Sequence, residues 1–192
     1  MAKRRVGVLI SGRGSNMAAL IEAAGAPDYP AEIILVLSNE PGAAGLAFAS
    51  SRGVPTAIIN HRDFASRETF ADAIDARLRE AKVEIVCLAG FMRLLATPFV
   101  ERWRGKMITI HPSLLPAFKG LDTHARALDA GVKTHGCTVH YVEPELDSGP
   151  VILQAEVPVL PGDDEPTLAA RVLKEEHRIY PAALRMVAEG KA

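Results

Sequence analysis

Val6-Gly7-Val8-Leu9-Ile10-Ser11-Gly12-Arg13-Gly14-Ser15-Asn16 is the stretch on which the reading of this chain turns. Residues 6–10 form a short apolar run that reads as a buried strand. It enters a glycine-rich turn and then a segment of helical composition over 16–24. The alternation repeats downstream. Apolar strands are expected over 33–37, 56–59 (the weakest), 85–88 and 107–110. Between them a helix over 43–52 is closed by Gly53. Another over 66–81 carries Phe70, Ala73, Ile74 and Leu78 at helical spacing behind Ser66 as N-cap. Apolar strands separated by amphipathic helices predict an α/β fold. Its mostly parallel, twisted sheet has helices on both faces and a Rossmann-like N-terminal half.

The second half changes character. A short helix is expected over 123–130, and strands over 138–142 and 151–157 are spaced as an antiparallel pair joined by a loop carrying Asp147. A long helix over 166–189 follows, with Pro181 expected to kink or end it. Repeats, linkers and low-complexity tracts are lacking, so one domain over 1–192 is expected, with a phosphate-binding half at about 1–105 and a catalytic half at about 106–192.

A hydrophobic content of 48% with 23% charged residues is that of a soluble globular protein, and the net charge of −1 argues against general nucleic-acid or acidic-membrane binding. The basic start of the chain precedes only five apolar residues, too few for the core of a signal peptide, and nothing approaches a membrane span. Cys87 and Cys137 lack a CxxC spacing and read as reduced core thiols of a cytoplasmic protein.

Four segments carry the chemistry. In Ser11–Asn16, glycines admit a ligand to the backbone, and free amides at a helix start attract an anion. The third glycine of a dinucleotide fingerprint is absent near Met17, which favours a single phosphate over NAD. Gly90-Phe91-Met92-Arg93-Leu94-Leu95 follows a strand and offers apolar side chains for a flat ring at the sheet's carboxyl edge. In Ile108-Thr109-Ile110-His111-Pro112 a strand delivers one imidazole to its end, where Pro112 stops it. Glu145-Leu146-Asp147-Ser148-Gly149-Pro150 sets a carboxylate in a turn, so His111 and Asp147 form a candidate acid–base pair. The six histidines show no metal-ligand spacing, and no metal site is expected.

Together these segments resemble the phosphoribosylglycinamide formyltransferase family. SGRGSN, AGFMRLL, IHPSLLP, HGCTVHYV, ELDSGPVILQ and EEHRIYP occur in that order between Val6 and about Glu189. The resemblance implies formyl transfer from 10-formyltetrahydrofolate, a co-substrate, to the amine of glycinamide ribonucleotide in purine biosynthesis. It assigns Gly14, Ser15, Asn16 and Glu176 to the ribonucleotide. Arg67, Met92, Arg93, Leu94, Leu95, Thr109 and the loop Glu143, Pro144, Glu145, Leu146, Asp147 go to folate. His111, Asp147 and Thr109 are assigned to catalysis, with Asp147 keeping His111 cationic. The partners implied are these two small molecules, with no nucleic acid and no membrane, for a cytoplasmic monomer or homodimer.

The chain departs from the family pattern at its centre, where Thr109 stands two residues before the histidine in place of asparagine. An asparagine amide donates to the oxygen that gains charge as the formyl carbon becomes tetrahedral, whereas the threonine hydroxyl is a shorter donor. Asp122 also stands where many relatives carry histidine. Two alternatives stay open: a formyltetrahydrofolate hydrolase, whose usual N-terminal regulatory domain has no room before Val6, and a folate or nucleotide binding protein weakened by Thr109.

Overall fold

The computed structural model describes residues 2–192; Met1, at the head of the basic N-terminal stretch, lies outside them. Seven strands form one sheet. They are β1 (Arg4–Ile10), β2 (Ala31–Ser38), β3 (Thr56–Ile58), β4 (Ile85–Leu88), β5 (Met107–His111), β6 (Thr134–Tyr141) and β7 (Val151–Pro158). Their order is β3-β2-β1-β4-β5-β6-β7. Strands β1 to β5 pair in parallel, while β6 runs antiparallel to both β5 and β7. This is the expected mixed sheet, with β6 alone running against the other strands and the Asp147 loop joining it to β7.

Helices cover both faces because strand side chains alternate. Val6, Val8 and Ile10 of β1 join a core with α1 (Ser15–Ala24), α2 (Ala44–Ser51) and α6 (Glu165–Ala188). Leu9 faces the other side, where α3 (Arg67–Glu80) supplies Phe70, Ile74 and Leu78, α4 (Thr97–Arg102) supplies Phe99, and Trp103 follows as the C-cap of α4. Ser66 caps α3 as expected, its hydroxyl accepting from Thr69 N at 3.1 Å. The short α5 (Thr123–Asp129) lies between β5 and β6.

Pro181 does not end the helix, one of the two outcomes expected of it, because α6 continues through it to Ala188. Ile179, Tyr180, Ala183 and Leu184 are buried on either side of it, and the Tyr180 hydroxyl donates to Leu88 O at 2.8 Å. This packing on the sheet offsets the single backbone bond that proline removes. The carbonyl of Pro181 accepts from the Tyr29 hydroxyl at 2.7 Å. Two short elements escaped the sequence pattern, α4 and a 3₁₀ turn at His61–Asp63.

Candidate active site

Between β1 and β4 the strand order reverses, so the loops after these strands diverge and leave a crevice at the carboxyl edge of the sheet. The turn after β1, the Gly90 loop after β4 and His111 at the end of β5 all open on this edge.

The β1 turn leaves the first amides of α1 without a side-chain cap. Gly14 is the N-cap of α1 with φ +71°. A Cβ there would meet Met17 Cε at 2.7 Å, in a backbone region that side chains rarely adopt. Helix α2 presses on the same turn: Gly45 N donates to Gly12 O at 3.1 Å, and a Cβ on Gly45 would lie 2.6 Å from Ile10 Cδ1. Within the first turn of α1, Asn16 Nδ2 donates to Glu176 Oε2 at 2.7 Å, while the buried Asn16 Oδ1 has no hydrogen-bond partner. Burial raises the Glu176 pKa, partly opposed by the Asn16 bond and the nearby His177 and His111 rings.

His111 is held at both ring nitrogens. Nε2 donates to Phe118 O at 3.0 Å, a carbonyl being able only to accept, and Nδ1 lies 3.5 Å from Asp147 Oδ1. Asp147 sits at φ +50°, and its Oδ2 accepts from Gly120 N at 2.8 Å. The carboxylate therefore ties the β6–β7 loop to the loop after His111. A third group was not found from sequence: His140 is buried with Nε2 4.0 Å from Asp147 Oδ1. Its Nδ1 lies 2.8 Å from Tyr141 O, so that nitrogen carries the proton and Nε2 presents a lone pair without a partner. Burial lowers the His140 pKa and favours this neutral form. Thr109 is half-buried and pairs across the strands with His140, on the face it shares with His111. The spacing of His140 from other histidines carries no signal; only the β5–β6 register brings it here.

Of the remaining residues, Arg67 opens α3 and lines a cleft of about 200 Å³ with His61, Phe64, Phe70, Arg93 and Leu94. Met92 and Leu94 are 70% and 63% exposed, so the Gly90 loop presents apolar side chains outward. Leu95 is half-buried against the α3–α4 core. In the β6–β7 loop, Glu143 pairs with Arg104 at 2.9 Å and Glu145 with Lys119 at 3.7 Å, while Pro144 and Leu146 are exposed. Asp122 caps α5 at φ +55° with no side-chain cap bond. Behind His111, His135 is almost fully buried with Nε2 3.2 Å from His124 Nδ1, and burial lowers its pKa to about 4. Among the described residues no three His, Cys, Asp or Glu side chains gather as a metal-binding group, and no helix is long and apolar enough to cross a membrane.

The fold and site define a Rossmann-like α/β protein with a glycine turn opening on an uncapped helix start and a buried His–Asp pair at one sheet edge. The chain belongs to the formyl transferase family, whose conserved domain matches residues 4–184. It is 44% identical to phosphoribosylglycinamide formyltransferase of Escherichia coli, over 96% of this chain and 87% of that protein. The crystal structure of phosphoribosylglycinamide formyltransferase from Brucella melitensis superposes with a TM-score of 0.93 at 55% identity, covering 97% of this chain and 96% of that one. The chain is also 53% identical over 98% of its length to the trifunctional purine biosynthetic protein adenosine-3 of Homo sapiens, of which it spans only 19%.

Proposed function

We propose that this protein transfers the formyl group of 10-formyltetrahydrofolate to the amine of glycinamide ribonucleotide, a step of purine biosynthesis. The observation that carries this reading is the His111–Asp147 pair at the carboxyl edge, 3.5 Å apart. The uncapped amides of Gly14, Ser15 and Asn16 hold the phosphate, and Glu176 receives the ribonucleotide beside Asn16. The cleft between Arg67 and Arg93 suits the carboxylates of the folate tail, with Met92 to Leu95 along the ring system and the 143–147 loop against the pterin. The folate site therefore draws on both halves of the chain.

The ribonucleotide amine attacks the formyl carbon, forming a C–N bond and moving the carbonyl electron pair onto oxygen. His111 stabilises that oxygen by surrendering to it the N–H now held by Phe118 O, with the Thr109 hydroxyl on the same face. The C–N bond to folate then breaks, and the proton lost by the amine must reach the departing nitrogen. Asp147 Oδ1 and His140 Nε2, two acceptors 4.0 Å apart, suit a water that carries it. The buried, free thiols Cys87 and Cys137, each with its pKa raised to about 12 by burial, suit a reducing cytoplasm, where the protein acts as monomer or homodimer.

The test is formyl transfer from 10-formyltetrahydrofolate with and without glycinamide ribonucleotide. Formylated ribonucleotide is expected in the first mixture and negligible formate in the second. Formate release without ribonucleotide would instead make the protein a hydrolase, and binding of both ligands without either reaction would make it a binding protein.

A further inference from the structure

A line of hydrogen bonds crosses the carboxyl edge of the sheet behind the Gly90 loop, through side chains of Ser11 and Asn39 that have been given no role above. Ser11 follows β1, and its hydroxyl accepts from Met92 N at 2.8 Å, while its own amide donates to Gly90 O at 3.2 Å. The same hydroxyl donates to Asn39 Oδ1 at the end of β2. Asn39 is 1% exposed, and its Nδ2 donates to His61 Nδ1 at 3.2 Å. His61 in turn forms part of the wall of the Arg67–Arg93 cleft and lies edge-on to Phe70, on which Phe91 stacks at 6.5 Å. Four chain segments, the ends of β1, β2 and β4 and the 3₁₀ turn, are thus joined through one buried amide.

The loop that this line reaches has few other anchors. Met92 and Leu94 project into solvent, so the 91–95 segment is held by the Met92 N–H bond, the Phe91 ring and the half-buried Leu95. A buried amide committed at both ends has one geometry, and removing either partner leaves a donor or acceptor unsatisfied. We propose that Asn39 and Ser11 are positioning residues for the 91–95 loop, setting its Met92 N–H and, through His61, the opposite wall of the cleft. This inference rests on the reading of that loop as part of the folate site.

Direct binding separates the two claims. Tetrahydrofolate lacks the formyl group, so its affinity and that of glycinamide ribonucleotide are each measured by calorimetry without turnover. Ser11→Ala is expected to weaken tetrahydrofolate about tenfold, and Asn39→Ala at least as much, with ribonucleotide affinity changed less than about twofold. The double variant is expected to bind no worse than Asn39→Ala alone, because both changes cut one line of bonds. Ser11→Thr, which keeps the hydroxyl, is expected to restore most of the affinity. Unchanged tetrahydrofolate binding in both alanine variants, equal losses for both ligands, or fully additive losses in the double variant would overturn the proposal. Should Asn39→Ala fail to fold, Ser11→Ala against Ser11→Thr decides it. A wild-type protein that binds tetrahydrofolate but transfers no formyl group would sink the proposed function and still let the affinity pattern decide this inference. Absence of tetrahydrofolate binding would sink both.

Discussion

Thr109 and His111 leave β5 on the same face, and Thr109 lies opposite His140, whose Nε2 is buried and unpaired. An asparagine at 109 would carry its amide nitrogen about 1.3 Å further from the backbone than the threonine hydroxyl, roughly one C–N bond. At hydrogen-bonding distances that difference decides whether a donor engages, since a contact stretched from about 2.9 to beyond 4 Å is no longer a bond. The amide has two N–H groups, so one can meet His140 Nε2 while the other meets the developing oxyanion. A preorganised oxyanion donor is worth about 2.7–4 kcal/mol in the transition state. The threonine hydroxyl already supplies part of this, so we expect a gain of about 1.4 kcal/mol or more. That raises kcat of Thr109→Asn at least about tenfold. Affinities for both ground-state ligands should change less than about twofold, because the donor matters only once charge develops. Initial-rate formyl transfer at saturating substrates, with calorimetric affinities beside it, gives the answer. A slower asparagine variant with intact ligand binding would show that this site is built around a hydroxyl, and the geometric argument would fail.

Gly14→Val places a β-branched side chain at φ +71° against Met17, so ribonucleotide affinity should fall sharply in a binding titration while tetrahydrofolate affinity holds. Asp147→Asn keeps the shape of the loop but removes the charge 3.5 Å from His111 Nδ1; kcat should drop about a hundredfold or more, with a smaller effect on KM. Buried His135 has its pKa lowered from 6.5 to about 4, so the unfolded chain binds a proton that the folded protein refuses across that window. Stability should therefore fall as pH drops from about 6.5 towards 4, and thermal melts of His135→Gln should show a flatter dependence over the same range.

The elements read from the sequence match the structure where the signal is local. Strand 85–88 coincides with β4, and the Ser66 cap sits where its spacing to the apolar face of α3 requires. Errors fall where an element depends on its neighbours. The β6 strand begins at Thr134, four residues before its apolar run, because Thr134 and His135 are aligned by pairing with Pro158 and Val157. The six-residue α4 was missed although Pro98 at its start is a helix-opening signal, since so short a segment shows little periodicity. Pro181 does not stop α6, because propensity counts a lost backbone bond but not the packing that offsets it.

The sequence by itself determined the succession of buried strands and amphipathic helices, the glycine turn before α1, and the strand end that presents His111. Each follows from apolar periodicity or backbone restriction within a few neighbouring residues. Only the tertiary structure decided which groups meet. Asn16 reaches Glu176 across 160 residues, Ser11 reaches Met92 across 81, and His140 faces Asp147 only because β6 reverses direction beside β5. These contacts depend on strand order and register, which are settled when the whole sheet closes its hydrogen bonds and buries both faces at once.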